Sequence, residues 1–104
     1  MIAENIVFNY LYKKYWQTLG FYRGEDSEID FVYIDKEKTY LMQVTYTDEI
    51  NNREELALIK NQDKFTNPKN IIITKNTYEE KSFKAKDGKN IKIKYIPLWY
   101  LLLC

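Results

Sequence analysis

Histidine is missing from the 104 residues, and cysteine occurs once. Without an imidazole, the usual serine or cysteine hydrolase triad, a zinc site with histidine ligands and histidine general-base chemistry near neutral pH are all excluded. One thiol makes neither an internal disulfide nor a structural zinc site. Cys104, at the last position, therefore reads as a spectator in keeping with a reducing, cytoplasmic compartment. Any metal would be a hard cation such as magnesium or manganese, held by oxygen. No apolar run approaches the ~20 residues that cross a bilayer, so no membrane partner is expected. Met1 leads straight into an amphipathic pattern containing Glu4 and Asn5, unlike the basic start of a signal peptide. There is no glycine-rich phosphate loop, so any ATP chemistry belongs to a different domain. Repeats, low-complexity segments and linkers are also lacking. Carboxylates, amides, hydroxyls and lysines are left to carry the chemistry.

What is present suits one folded domain spanning 1–104, since 45% hydrophobic and 16% aromatic content supplies a single core and the length does not allow two. A net charge of +1 hides an asymmetry. Residues 1–59 carry six basic and eleven acidic side chains, and residues 60–104 carry ten and four.

The stretch from Ser27 to Tyr46 organises the chain. Two apolar runs, Ile29 to Ile34 and Tyr40 to Tyr46, flank a charged DKEK turn and predict a hairpin of central strands covered on both faces. Asp30, Gln43 and Thr45 interrupt those faces. An unpaired polar group there costs on the order of 1–3 kcal/mol, so each must be hydrogen-bonded or bind something.

Around the hairpin, the helical period from Ile2 to Gln17 puts Val7, Phe8, Leu11 and Tyr15 on one stripe with Glu4 at its centre. A short strand follows over Leu19 to Arg23. Asp48 to Asn52 offers cap residues for a second helix, Arg53 to Phe65, buried through Leu56, Leu58 and Ile59. The run Asn70 to Thr74 predicts a buried strand parallel to its neighbour. Ser82 to Lys86 and Lys89 to Tyr95 predict a second hairpin, with Asp87-Gly88 in a type I′ turn. Leu98 to Leu103 forms a last helical turn after Pro97, and its apolar residues pack on the body or on something outside the chain. This order indicates an α/β fold with a central mixed β-sheet flanked by helices.

Two groups of residues carry candidate chemistry. Glu4, Asp30 and Gln43 come from separate elements yet all fall on interior faces, and oxygen ligands so placed can bind a divalent cation and polarise a phosphodiester. Each has a plainer reading: Asp30 paired with Arg23 or Arg53, Gln43 as structure, Glu4 as a first-turn carboxylate favoured by the helix dipole. The second group is the lysines Lys81, Lys84, Lys86, Lys89, Lys92 and Lys94 on the predicted hairpin near Tyr78 and Tyr95, with Lys84, Lys86, Lys92 and Lys94 as the binding candidates. They can contact DNA phosphates while the rings stack on bases, or simply keep an edge hairpin soluble.

The spacing of Asp30 in SEIDFV to Gln43-Val44-Thr45 in YLMQVTY, with Glu4 in the preceding helix, resembles the PD-(D/E)xK restriction-endonuclease-like superfamily. More narrowly, ENIVFNYLYK, EIDFV, LMQVTY, EEL, IIIT and IPLWYLL resemble the C-terminal domain of unknown function that follows the ATPase module of certain prokaryotic AAA-type ATPases. The resemblance implies a restriction-endonuclease-like fold forming the C-terminal piece of a larger ATPase, whose ATPase domain is then a partner. It implies catalytic positions at Glu4, Asp30, Gln43 and Thr45, with magnesium on Asp30 and Gln43. Thr45 stands where the superfamily has its lysine, and a hydroxyl lacks the charge that stabilises a developing phosphorane. Gln43 brings a neutral oxygen, so magnesium would bind weakly. Lys60 and Lys64 are candidates for a migrated lysine. The expectation is a degenerate site in a nucleic-acid-binding or regulatory module. An active magnesium-dependent nuclease and a protein-interaction domain are the alternatives.

Overall fold

The computed structural model describes residues 2–49 and 52–103. Cys104 and part of the 48–52 cap segment lie outside them. Helix α1 (Ile2–Tyr15) leads into strands β1 (Gly20–Arg23), β2 (Glu28–Asp35) and β3 (Lys38–Val44), followed by helix α2 (Asn52–Lys60) and a 3-10 turn at Gln62–Lys64. Strands β4 (Lys69–Thr74), β5 (Glu79–Lys84) and β6 (Asn90–Pro97) and helix α3 (Leu98–Leu103) complete the fold. The protein is α/β, with a six-stranded mixed sheet in the order β1-β2-β3-β4-β6-β5. Both β3–β4 and β4–β6 are parallel, and the other pairs are antiparallel.

Two apolar layers cover the sheet. On one face Ala3, Val7 and Leu11 of α1 and Leu98 and Leu101 of α3 pack on Phe31, Tyr33, Met42, Val44, Ile71, Ile73 and Ile96. On the other, Leu58 of α2 packs with Ile29, Leu41, Ile72, Ile91, Ile93 and Tyr95. Alternation along β2, β3 and β4 feeds both layers, which is why these strands read as continuous apolar runs. Tyr15, Tyr33 and Tyr40 stack in series at 4.5 and 5.1 Å between ring centres. Burial and Asp35, which accepts from the Tyr15 hydroxyl at 3.2 Å, push the Tyr15 phenol up to about 12.

Several local expectations are corrected. The buried stripe of α1 runs through Ala3, Val7 and Leu11, the i, i+4, i+8 row, and Phe8 beside it is exposed. Leu56 likewise faces solvent, and Ala57 and Leu58 form the buried side of α2. Helix α2 stops at Lys60, short of Phe65. There Asn61 turns its amide back on the Ala57 carbonyl, and Gln62 pairs with Asn70 at 2.6 and 3.0 Å to start β4. Asp48 is not a helix cap. It accepts from the Asn76 N–H and the Thr77 hydroxyl, which tie down the segment before β5 and hold its carboxyl below the usual range.

The tight turns also trade places. Of the Asp87-Gly88 pair only Gly88 has a left-handed φ, 87°, and the Ala85 N–H reaches the Lys89 carbonyl, so this connection has three residues instead of a type I′ pair. The two-residue turn with both φ positive is Lys36-Glu37, at 51° and 69°. Neither residue favours the left-handed region. Replacing the pair by Asn-Gly is expected to stabilise the domain by roughly 1–2 kcal/mol, read as a shift in the urea midpoint at unchanged slope. No change would mean that the turn is not strained.

Candidate functional site

Strand β2 carries one residue more than its neighbour. Tyr22 pairs with Ile29 but Gly20 with Val32, so a bulge lies between them. Ile29 and Phe31, two residues apart, therefore serve opposite core layers, and Asp30 is turned out of the regular alternation. On the other side the β2–β3 ladder ends at Phe31–Met42, one rung before Asp30 and Gln43, while β3 stays paired with β4 as far as Val44–Ile73. The two strands part at Asp30.

Side chains bridge the gap. The Asp30 N–H donates to Gln43 Oε1 at 2.9 Å, and Gln43 Nε2 donates to the Glu28 carbonyl at 2.9 Å. The Val44 N–H donates to Asp30 Oδ2, also at 2.9 Å. Gln43 and Asp30 thus replace the missing backbone rungs. This satisfies the nearly fully buried Gln43 and gives it a structural task that sequence reasoning offered only as the plainer reading.

A cleft of about 620 Å³ opens over this point. Glu4 reaches it from α1, Asp30 and Gln43 from the parted strands, and Arg53 and Glu54 from α2, with Arg23 to Glu28 along one wall. Thr45 is not among the lining residues. Its hydroxyl is engaged with backbone, 3.2 Å from the Ile73 carbonyl and 3.3 Å from that of Thr47. Of the four positions that the sequence singled out, the structure brings Glu4, Asp30 and Gln43 together and leaves Thr45 outside.

The field in the cleft is acidic. Burial pushes the Asp30 carboxyl up to about 6; the Val44 N–H pulls the other way, and the charges of Glu4, Glu28 and Glu54 add to the rise. Of the two arginines offered as partners for Asp30, Arg23 sits 3.6 Å from Glu28 with both groups mostly in water. Glu54 Oε2 is buried without a hydrogen-bond partner. Neither Glu28 nor Glu54 stands out in the sequence, where both belong to ordinary charged stretches flanking a strand and opening a helix.

These residues do not make a good cation cage. The Gln43 oxygen already accepts the Asp30 N–H, one Asp30 oxygen accepts the Val44 N–H, and among the described residues no three carboxylate, imidazole or thiol groups converge at metal-binding distance. No described lining residue is a lysine. Lys60 instead pairs with Asp26 on the rim, holding that carboxyl below its usual range, and Lys64 lies exposed on the 3-10 turn.

The basic hairpin is partly as expected. The register Glu80–Lys94, Ser82–Lys92 and Lys84–Asn90 puts Lys84, Lys92 and Lys94 on one exposed face of β5–β6, while Lys86 sits in the connection. Tyr95 is corrected: it is buried in the opposite layer, and its hydroxyl donates to Glu55. The ring available beside the lysines is Tyr78, which touches Tyr100 of α3.

Comparison with curated proteins gives no match. The family model described as Domain of unknown function (DUF4143) covers residues 1–101, and the chain with this α/β sheet and acidic cleft belongs to that family.

Proposed function

We propose that this is a restriction-endonuclease-like domain that keeps the shape of a nuclease cleft without its cutting chemistry, and that it serves as a nucleic-acid-binding or regulatory accessory module of an AAA-type ATPase. The observation that carries this reading is the parting of β2 and β3 at Asp30. A bulge, a pair of bridging side chains and a helix glutamate there build a cleft at the edge of a buried sheet. Such irregularity in a central strand is costly and recurs next to functional sites. The absence of cutting rests on Thr45, which faces backbone, and on a lining whose own cations are Arg23 and Arg53, with Lys60 held on Asp26. Among the described residues no ammonium stands beside Asp30, and the guanidiniums of Arg23 and Arg53 are outnumbered by six lining carboxylates, so the charge of an attacked phosphodiester is poorly offset and an acidic wall repels DNA. Contact with nucleic acid then falls to the lysine face of β5–β6.

Incubation of supercoiled plasmid with the purified domain and magnesium or manganese tests this reading. Neither nicking nor linearisation is expected. Cleavage abolished by Asp30→Ala would overturn it in favour of the active metal-dependent nuclease.

One observation supports a protein-interaction role alongside it. Phe8, Tyr12 and Trp16 follow one another at every fourth position of the first helical segment and its exit, and all three are exposed. This ridge suits docking on the ATPase domain of a shared parent protein, and Trp16→Glu is the variant that would weaken it.

A further inference from the structure

Away from the cleft, the surface where α3 meets β6 combines exposed rings with a cation. Trp99 and Tyr100 lie on the outer side of α3, with ring centres 6.1 Å apart, and Tyr78 meets Tyr100 edge to face at 5.0 Å. The Lys94 ammonium lies 5.6 Å from the centre of the Tyr78 ring. Trp99 is 54% exposed, Tyr78 52% and Tyr100 39%, although each is large enough to have been buried with profit. The core under α3 is filled by Leu98 and Leu101, so the rings do not serve it.

We infer that the Trp99–Tyr100–Tyr78 row and the adjoining Lys94, Lys92 and Lys84 form a binding surface for a single-stranded polynucleotide. This rests on the nucleic-acid reading above and names its ligand class. Lys92 and Lys94 point to the same side two residues apart in an extended strand, hence ~7 Å from one another, a spacing that follows a stretched sugar–phosphate backbone. The rings adjoin Lys94 through Tyr78, which in turn touches Tyr100. A duplex buries the π-faces of its bases in its own stack and would meet only the lysines, whereas unpaired bases can lie on the rings. Glu80, across from Lys94, is the one carboxylate on this face of the hairpin. It leaves the face with a surplus of two positive charges, in contrast to the acidic cleft.

Fluorescence anisotropy of labelled oligothymidine, oligouridine and a duplex of equal length tests the inference at low salt. Both single strands are expected to bind at least roughly tenfold more tightly than the duplex. Trp99→Ala and Tyr78→Ala should each weaken them by roughly tenfold, as loss of one stacked base does, while Trp99→Phe keeps most of the affinity. With three phosphates neutralised, single-strand affinity should fall by roughly twentyfold between ~50 and ~200 mM salt. Circular dichroism confirms that the exposed-ring variants fold. Equal binding of single strand and duplex, unchanged in Trp99→Ala, would overturn the stacking surface while leaving a phosphate-binding module intact. No binding of any of the three at low salt would overturn both readings.

Discussion

Replacing Gln43 by leucine is expected to cost about 2–5 kcal/mol of stability, although leucine is similar in size and the side chain is buried. The side chain is 3% exposed, and its amide holds two backbone groups of β2 that have no other strand to pair with: the Asp30 N–H and the Glu28 carbonyl. Leucine leaves both unsatisfied, each at ~1–3 kcal/mol. For a domain of this size that lowers the melting temperature by something like 10–30 °C. Gln43→Glu separates the two bonds. The carboxylate still accepts the Asp30 N–H, but it faces the Glu28 carbonyl with another acceptor and places a charge beside Asp30. Its defect should therefore shrink toward acidic pH, whereas that of Gln43→Leu should not. Urea unfolding of the three proteins at pH 5 and pH 8 gives the comparison. Wild-type stability in Gln43→Leu would show that the bridging bonds contribute nothing.

The bridge explains why the sequence discloses where the site is but not how it is built. Asp30 and Gln43 are visible because each breaks an apolar run, the hairpin follows from the charged DKEK between two such runs, the parallel β3–β4 pair from the helical crossover, and the lysines of β6 from alternation. The partners of Gln43 are backbone atoms, which no residue letter marks. The bulge is equally silent, since EIDFV reads as regular alternation and only the pairing of β1 reveals the extra residue. Projection of α1 favours the large Phe8 over the small Ala3, but the row that meets the sheet is Ala3, Val7 and Leu11. Asp87-Gly88 carries the strongest turn signature in the chain. Even so, the strands on either side of DKEK leave only two residues to reverse direction, and Lys36 and Glu37 adopt left-handed conformations that their composition does not suggest. The aromatic row on α3 is legible only as an apolar segment, because what distinguishes a core face from a binding face there is which residues Leu98 and Leu101 leave outside.

Replacing Asp30 by asparagine is expected to have the opposite sign, stabilising the domain at pH 8 by about 1–2 kcal/mol once solvent screening at the half-open cleft is allowed for. Burial pushes the folded-state pKa up to about 6 from an ordinary value of 3.8, and the nearby charges of Glu4, Glu28 and Glu54 push the same way. Between those two values the folded protein holds a proton that the unfolded chain releases, so this residue favours folding most below pH ~4. That contribution is lost as pH rises through about 6, and above it an ionised Asp30 opposes folding. Asparagine removes the charge, still offers an oxygen to the Val44 N–H, and turns N–H donors toward the carboxylates around it. The two proteins should therefore melt within about 2 °C of each other at pH 4. They should diverge between pH ~4 and ~6, level off above that, and differ by roughly 5–10 °C at pH 8. A variant that is less stable than the wild type by the same amount at every pH would mean that the ionised carboxylate holds β3 through Val44 more strongly than its neighbours repel it. An advantage that grows from pH ~4 to ~6 would instead show that ionised Asp30 opposes the fold, through its burial and the charges of Glu4, Glu28 and Glu54.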